Sequence, residues 1–295
     1  MSIDGLLDRV AAGEALSASE VLELSAGHDL LALGTLADAA RRRLHGSRVT
    51  YLRVAVCPFD DVRAGVVPAA AREIRLAGAP DSLGVALTAV ERAKAVAGGR
   101  VVSGLSWADV ARLAADAGVP PARALADLRA AGLEALAEIP IDAVADLAAV
   151  LGTLTAAGFG PLRLTVAAAP LAPRTALLLQ VAELQRQSGA IRAIDPLPTS
   201  LDAFRPTTGY DDVKAVAVAR LAAPNVASVQ VDWLRHGPKL AQVALIFGAD
   251  DVDGVPAADE APEGRRRAPL EEVRRNIDAA GLTAVERDGR FQVVS

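Results

Sequence analysis

The chain has 295 residues, of which 52% are apolar, 3% aromatic and 23% charged, with a formal net charge of -5. A single α/β barrel of about 250 residues with terminal extensions accounts for that length, and small aliphatic side chains must fill most of its interior. The acidic balance opposes a nucleic-acid partner, whose phosphates require clustered Lys and Arg.

The short runs Arg41-Arg42-Arg43 and Arg265-Arg266-Arg267 read as a solvated helix end and a tail. No apolar run approaches the roughly 18 residues of a membrane span, so no membrane partner is expected. Met1-Ser2-Ile3-Asp4-Gly5 lacks a basic stretch followed by an apolar one, so a cytoplasmic location is expected.

Residues 1–48 keep helical spacing through Leu6, Leu7, Val10 and then Leu22, Leu24, Leu30, Leu31 and Leu36, with Ser17 and Ser19 as caps and a break at Leu33-Gly34. They read as a helical N-terminal extension ending at Gly46. From residue 49, short apolar runs alternate with helical stretches, which argues a parallel sheet.

The strands are expected at 49–56, 73–77, 84–90, 135–139, 162–167, 190–194, 228–233 and 242–247. Helices are expected at 107–117, 121–131, 141–157, 173–188 and 211–221. Eight such strands make a TIM-type (β/α)8 barrel, regular or slightly irregular, over 49–254. Residues 255–295 form a small C-terminal appendage: an exposed linker, a helix at 269–280 and a strand at 290–294.

One cysteine, Cys57, ends the first strand, and no second one exists. It therefore forms no internal disulfide, and Asp60 and Asp61 beside it oppose a reactive thiolate. The three histidines, His28, His45 and His236, lie far apart in sequence without zinc-ligand spacing, so no metal site is expected.

The segments Thr208-Gly209-Tyr210-Asp211-Asp212-Val213-Lys214, Val229-Gln230-Val231-Asp232-Trp233, Gly237-Pro238-Lys239-Leu240-Ala241 and Phe247-Gly248-Ala249-Asp250-Asp251 resemble the last barrel third of the menaquinone-pathway radical S-adenosylmethionine enzymes. Glu263-Gly264-Arg265-Arg266-Arg267 with Pro269-Leu270-Glu271-Glu272 is most similar to aminofutalosine synthase, a relative of the cyclic dehypoxanthine futalosine synthases. The resemblance implies a three-cysteine loop after the first strand. This chain instead reads Cys57-Pro58-Phe59-Asp60-Asp61-Val62-Arg63-Ala64-Gly65, a lone remnant of that motif.

The family's glycine-rich turn after the second strand corresponds to Ala77-Gly78-Ala79-Pro80-Asp81, where the proline removes a backbone donor. A third family turn, after the fourth strand, corresponds to the glycine-free Glu134-Ala135-Leu136-Ala137-Glu138. A degenerate member is implied, with no 4Fe-4S cluster and no S-adenosylmethionine bound.

Active sites of such barrels lie at the C-terminal ends of the strands. Catalytic candidates are Glu91, Glu138, Asp195 and His236; ligand-binding candidates are Asp60, Asp232, Arg235, Asp250 and Asp251. Glu91 and Glu138 are expected to face each other, either as an acid-base pair or in structural ion pairs with Arg53, Arg75 or Arg192.

Two functions stay open. One is a ligand-binding or accessory protein, a pseudoenzyme of the futalosine route to menaquinone, partnered by a nucleoside-like molecule or a pathway enzyme. The other is a cofactor-independent hydrolase, lyase or isomerase acting on a futalosine-type nucleoside.

Overall fold

The computed structural model describes residues 3–294 except 63–66, 201–206, 259, 262 and 265. Arg63, Ala64 and Gly65 of the loop after the first strand, and Arg265 of the tail, thus lie outside the described residues.

Three helices lead in: α1 (Ile3–Ala12), α2 (Ala18–Ala26) and α3 (Leu30–His45). Ser17, not Ser19, caps α2; the Glu20 N–H donates to its hydroxyl at 3.3 Å and Glu20 accepts from the Ser17 N–H at 2.7 Å, a reciprocal capping box. Gly34 does not break α3. It sits inside the helix where a Cβ would lie 2.7 Å from the Phe247 ring, so its small size lets the helix close on the barrel.

The barrel follows as β1 (Arg48–Pro58), β2 (Glu73–Ala77), α4 (Leu83–Val96), β3 (Val101–Ser106), α5 (Trp107–Asp116), α6 (Pro121–Ala131), β4 (Ala135–Glu138), α7 (Leu147–Ala156), β5 (Leu162–Val166), α8 (Leu171–Ser188), β6 (Ile191–Pro198), α9 (Gly209–Ala222), β7 (Ser228–Asp232), α10 (Trp233–Leu245) and β8 (Asp251–Pro256). After it come α11 (Pro269–Ala279) and β9 (Thr283–Arg287). The eight barrel strands are parallel, in the order β4-β3-β2-β1-β8-β7-β6-β5.

The ring closes just beyond β4, where Ile141 N–H donates to Thr165 O at 2.9 Å and Thr165 N–H to Ile139 O at 3.0 Å. The fold is thus the expected TIM-type barrel; α2 and α3 pack on the outer helices α8 and α9, and α1 packs on α3.

Two expected strands are helices. Residues 84–90 belong to α4, whose buried Ala86, Ala89, Val90 and Ala93 recur at helical spacing behind the cap Ser82; the third strand lies beyond Gly98-Gly99. Residues 242–247 fall largely in α10, with Ala241, Ala244 and Leu245 buried. The eighth strand comes later, at Asp251–Pro256, disguised by Asp251 and Asp253.

Helix α7 begins later than expected, at Leu147, capped by Asp146. The last strand lies at Thr283–Arg287 instead of 290–294, where Val293 makes only a bridge to Arg287.

The C-terminal segment stops the bottom of the barrel. β9 pairs in parallel with the first half of β1, Arg48 to Leu52, while β2 pairs with the second half of that strand. Past β9, Gly289 lies against Val101 and Glu73, Arg290 donates to Gly99 O at 3.1 Å and Glu134 at 2.6 Å, and Phe291 is stacked by Arg287 and Arg192.

From this segment Arg287, 1% exposed, enters the lumen and binds both oxygens of Asp251, itself 0% exposed, at 2.6 Å each. Removing one partner of a buried pair strands the other charge, at a cost of about 3–5 kcal/mol. Arg287→Met is expected to lose stability on that scale in urea unfolding, whereas the exposed Arg123→Met, on an i,i+4 pair with Asp127, is expected to change it by less than about 1 kcal/mol.

Candidate functional site

Along the strands, polar side chains recur at every second position: Glu73 and Arg75, Arg163 and Thr165, Gln230 and Asp232, Asp251 and Asp253. Strand period two puts each set on one face, here the lumen. At the bottom, Asp251 takes Arg287, the Gln230 amide at 2.6 Å and the Thr50 hydroxyl.

One layer higher, Arg75 reaches Glu73 at 2.8 Å and Asp253 at 3.0 Å, and Arg163 reaches Glu73 at 3.2 Å and Asp253 at 3.5 Å. The Ser103 hydroxyl adds a 2.6 Å bond to Glu73. Burial favours the neutral Glu73 and Asp253, but Arg75 and Arg163 outweigh it and hold both carboxyls below their usual range.

Above this layer the mouth encloses a cavity of about 490 Å³. Its upper wall carries Asp195, Asp232, Glu138 and Arg235, its side the Ser106-Asp109 capping box of α5, and its rim the apolar Val56 and Leu234. Asp232 caps the short helical turn that follows β7, accepting the Arg235 N–H at 2.9 Å; Gly237, at φ 77°, breaks α10 immediately after that turn. Gly254, at φ 68°, leaves space for Asp232, whose carboxylate would lie 2.9 Å from a Cβ there.

The candidates from sequence divide sharply. Glu138, Asp195, Asp232 and Arg235 share the cavity. Glu138 pairs with Arg235 at 2.6 Å, not with Arg53, Arg75 or Arg192; Arg53 instead meets Glu286 at 2.7 Å. Glu91 is exposed on α4, away from the strand ends, because residues 84–90 are helical.

Asp250 and Asp251 precede and begin β8 rather than end a strand, so they lie at the opposite end of the barrel from the mouth. Asp250 accepts from the Val229 N–H at 2.8 Å and pairs with the buried Arg220. Asp60 is exposed in the turn after β1 and His236 is half-buried; neither is a cavity wall. Burial lowers the His236 imidazole to about 4.

Cys57 is 1% exposed in β1, packed in the hydrophobic core and off the cavity wall, and burial with nearby Asp61 pushes its thiol up. Glu134-Ala135-Leu136-Ala137-Glu138, read as a turn after the fourth strand, is largely that strand itself.

Sequence reasoning did not single out Arg163, Thr165, Gln230 or Asp253, although their period-two alternation with apolar residues marked a polar lumen. Arg75 was considered only as a partner. Nor did it find Asp142, whose carboxylate accepts the N–H groups of Ala167, Ala168 and Ala169 at 2.6–2.8 Å and so fixes the loop after β5. Among the described residues no cluster of His, Cys, Asp and Glu is placed to hold a metal ion, and no helix is long and apolar enough to cross a membrane.

No protein-family model matches the chain. It is 32% identical over 130 residues to the 5-amino-6-(D-ribitylamino)uracil--L-tyrosine 4-hydroxyphenyl transferase of Archaeoglobus fulgidus, covering 40% of this chain and 38% of that protein. It is 31% identical over 141 residues to the aminodeoxyfutalosine synthase of Streptomyces coelicolor (40% and 36%) and 36% identical over 96 residues to that of Thermus thermophilus (30% and 25%). The alignments thus span between a quarter and two fifths of these relatives.

Two solved structures superpose over most of the chain. Methylornithine synthase (PylB) has a TM-score of 0.66 at 14% identity, covering 95% of this chain and 97% of that one. The [FeFe]-hydrogenase maturase HydG has a TM-score of 0.69 at 14% identity, covering 96% and 75%. The sequence relatives support the resemblance to radical S-adenosylmethionine enzymes; the structures speak for the shared barrel.

Asp195 is the one cavity carboxyl with a strongly raised pKa. Burial pushes it to about 8, with Asp232 and Asp253 adding to the rise against the Leu197 N–H and Arg235. A carboxyl raised by folding loses stability for the folded state as pH climbs from its unfolded value, about 4, to its folded one. Asp195→Asn is therefore expected to be more stable than the parent at pH 8.5, with the gap closing toward pH 4, in urea unfolding compared across that range.

Proposed function

We propose that this protein holds a nucleoside-like molecule in its barrel mouth and serves the futalosine route to menaquinone as a binding or accessory protein, without iron-sulfur chemistry. The observation that carries this reading is the open mouth: about 490 Å³ with carboxylates above a salt-bridged floor and apolar residues at its rim. That volume lies within the range of small-molecule sites, roughly 300–1,000 Å³. Asp232 and Glu138 are acceptors suited to ribose hydroxyls, and Val56 and Leu234, 44% and 53% exposed, are surfaces on which a base packs.

The similarity to aminodeoxyfutalosine synthases supports the choice of pathway. The chemistry of the donors opposes a resident cluster. A thiolate-held cluster takes three or four sulfur ligands, and this chain offers one, a buried Cys57 whose thiolate is disfavoured. The residues present do not fit that group.

A second reading, cofactor-independent catalysis on such a nucleoside, is favoured by one observation. Asp195 keeps its proton near neutral pH beside Asp232 in the same cavity, and a retained proton is what a general acid needs.

Calorimetry with aminodeoxyfutalosine and futalosine distinguishes these outcomes. At least one is expected to bind with a Kd of about 1–100 µM, weakened at least about tenfold, or 1.4 kcal/mol, in Asp232→Ala. Turnover detected by mass spectrometry and abolished in Asp195→Ala would establish the catalytic reading instead. Anaerobic reconstitution with iron and sulfide is expected to yield no stoichiometric cluster; four irons per chain with 5′-deoxyadenosine release would overturn the proposal.

A further inference from the structure

The wall of the cavity formed by β5 and β6 carries donors that the protein does not use itself. Thr165 is 6% exposed and Arg163 4%, and both face the cavity. Neither the Thr165 hydroxyl oxygen nor Arg163 Nε has a hydrogen-bond partner among the described residues. Buried polar atoms are nearly always bonded, so two unsatisfied groups on one wall point to a molecule that supplies their partners.

The strand geometry groups them with a third. Arg163 and Thr165 are alternate positions of β5, and Asp195 follows Ile194, the β6 partner of Leu164; all three line the same cavity. One Asp195 oxygen accepts the Leu197 N–H at 3.0 Å. Burial keeps the carboxyl protonated near neutral pH, so it also offers an O–H. Three donors therefore share one patch.

The charge around the patch decides what they donate to. The other nitrogens of Arg163 are engaged by Glu73 and Asp253, and Arg75 is shared between the same two carboxylates, with Asp232 4.0 Å away. With Arg235 on Glu138, and Arg287 on Asp251 and 3.8 Å from Asp253, four cations face five acidic groups. A phosphate or carboxylate would add negative charge to that surplus, whereas an uncharged oxygen accepts the same hydrogen bonds without the repulsion.

We propose that Arg163, Thr165 and Asp195 form a subsite for an uncharged carbonyl oxygen; resting on the nucleoside reading above, this means that the mouth takes lactam bases in preference to amino-substituted ones. The Thr165 hydroxyl and the Asp195 carboxyl can turn to accept from an exocyclic amine, but Arg163 Nε only donates, so an amine there would leave that buried donor unpaired. Sites built to hydrogen-bond an oxygen discriminate strongly against analogues that cannot do so.

Inosine and adenosine, which differ at the C6 carbonyl or amine, are the probes. By calorimetry at pH 7, inosine is expected to bind at least about tenfold more tightly than adenosine. Thr165→Val, which removes one of the three hydrogen bonds to the carbonyl, should weaken inosine about three- to tenfold. Because the Thr165 hydroxyl has no hydrogen-bond partner among the described residues, its removal should not lower the melting temperature, so weakened binding would not reflect loss of the fold.

Equal binding of the two nucleosides, or inosine binding unchanged in Thr165→Val, would overturn the carbonyl subsite and leave the nucleoside reading standing. Binding of neither, with futalosine and aminodeoxyfutalosine also inert, would sink both.

Discussion

The structure turns on the sharing of two arginines between two carboxylates inside the barrel. Arg75 and Arg163 each contact both Glu73 and Asp253, so the lumen of this α/β barrel is filled at mid-height by charge where layers of branched aliphatic side chains are usual. Buried ions are costly to desolvate and persist only when paired and hydrogen-bonded. Here Arg75 comes from β2, Arg163 from β5, Glu73 from β2 and Asp253 from β8. Strands on different sides of the ring are thereby joined through its centre, and loss of one charge would be felt by several of them.

The same requirement explains the C-terminal segment. Asp251, one inward position below Asp253 on β8, needs its own cation, and Arg287 supplies it from β9. Arg287 also lies 3.8 Å from Asp253, so the appended strand contributes to both charged layers. With Gly289 under Glu73 and Phe291 between Arg287 and Arg192, the segment beyond the eighth strand is part of the barrel's electrostatic core. Saturation of these arginines shapes the mouth above them: the cavity floor carries guanidinium groups, but their charge is already neutralised, and the reading of an uncharged polar ligand follows from that balance.

The sequence revealed most of the architecture and about half of the site, and the failures have physical causes. β2, α5 and α6 were legible because a short apolar strand or an amphipathic helix stood between clear breaks. Residues 84–90 were misread because Ala, Val and Leu suit a buried helix as well as a strand, and a short apolar run cannot distinguish the two by itself. β8 was overlooked for the opposite reason: Asp251 and Asp253 made it look like a loop, although their alternation with Val252 is the signature of a strand facing a polar lumen. These two errors moved Glu91, Asp250 and Asp251 to the mouth on paper, while Glu138, Asp195, Asp232 and Arg235 were found because β4, β6 and β7 were placed correctly. Partners such as Glu138 with Arg235 depend on curvature around the ring, which no local pattern encodes.

The position of Cys57 connects the mouth to the question of chemistry. On β1 the side chains alternate, so Val56 lines the cavity while Cys57 is packed in the hydrophobic core. A thiol there is shielded from water, kept from ionising by burial and Asp61, and separated from the mouth by the strand that carries it. Its packing alone accounts for a small hydrophobe at this position. The polar groups of the mouth are instead Asp195, whose carboxyl is raised by burial, Asp232, and the Glu138-Arg235 pair, all above the arginine-carboxylate layer. In the proposed reading the barrel binds through hydrogen bonds and apolar packing above that layer, and its selectivity comes from which oxygen the unused donors of β5 and β6 can reach.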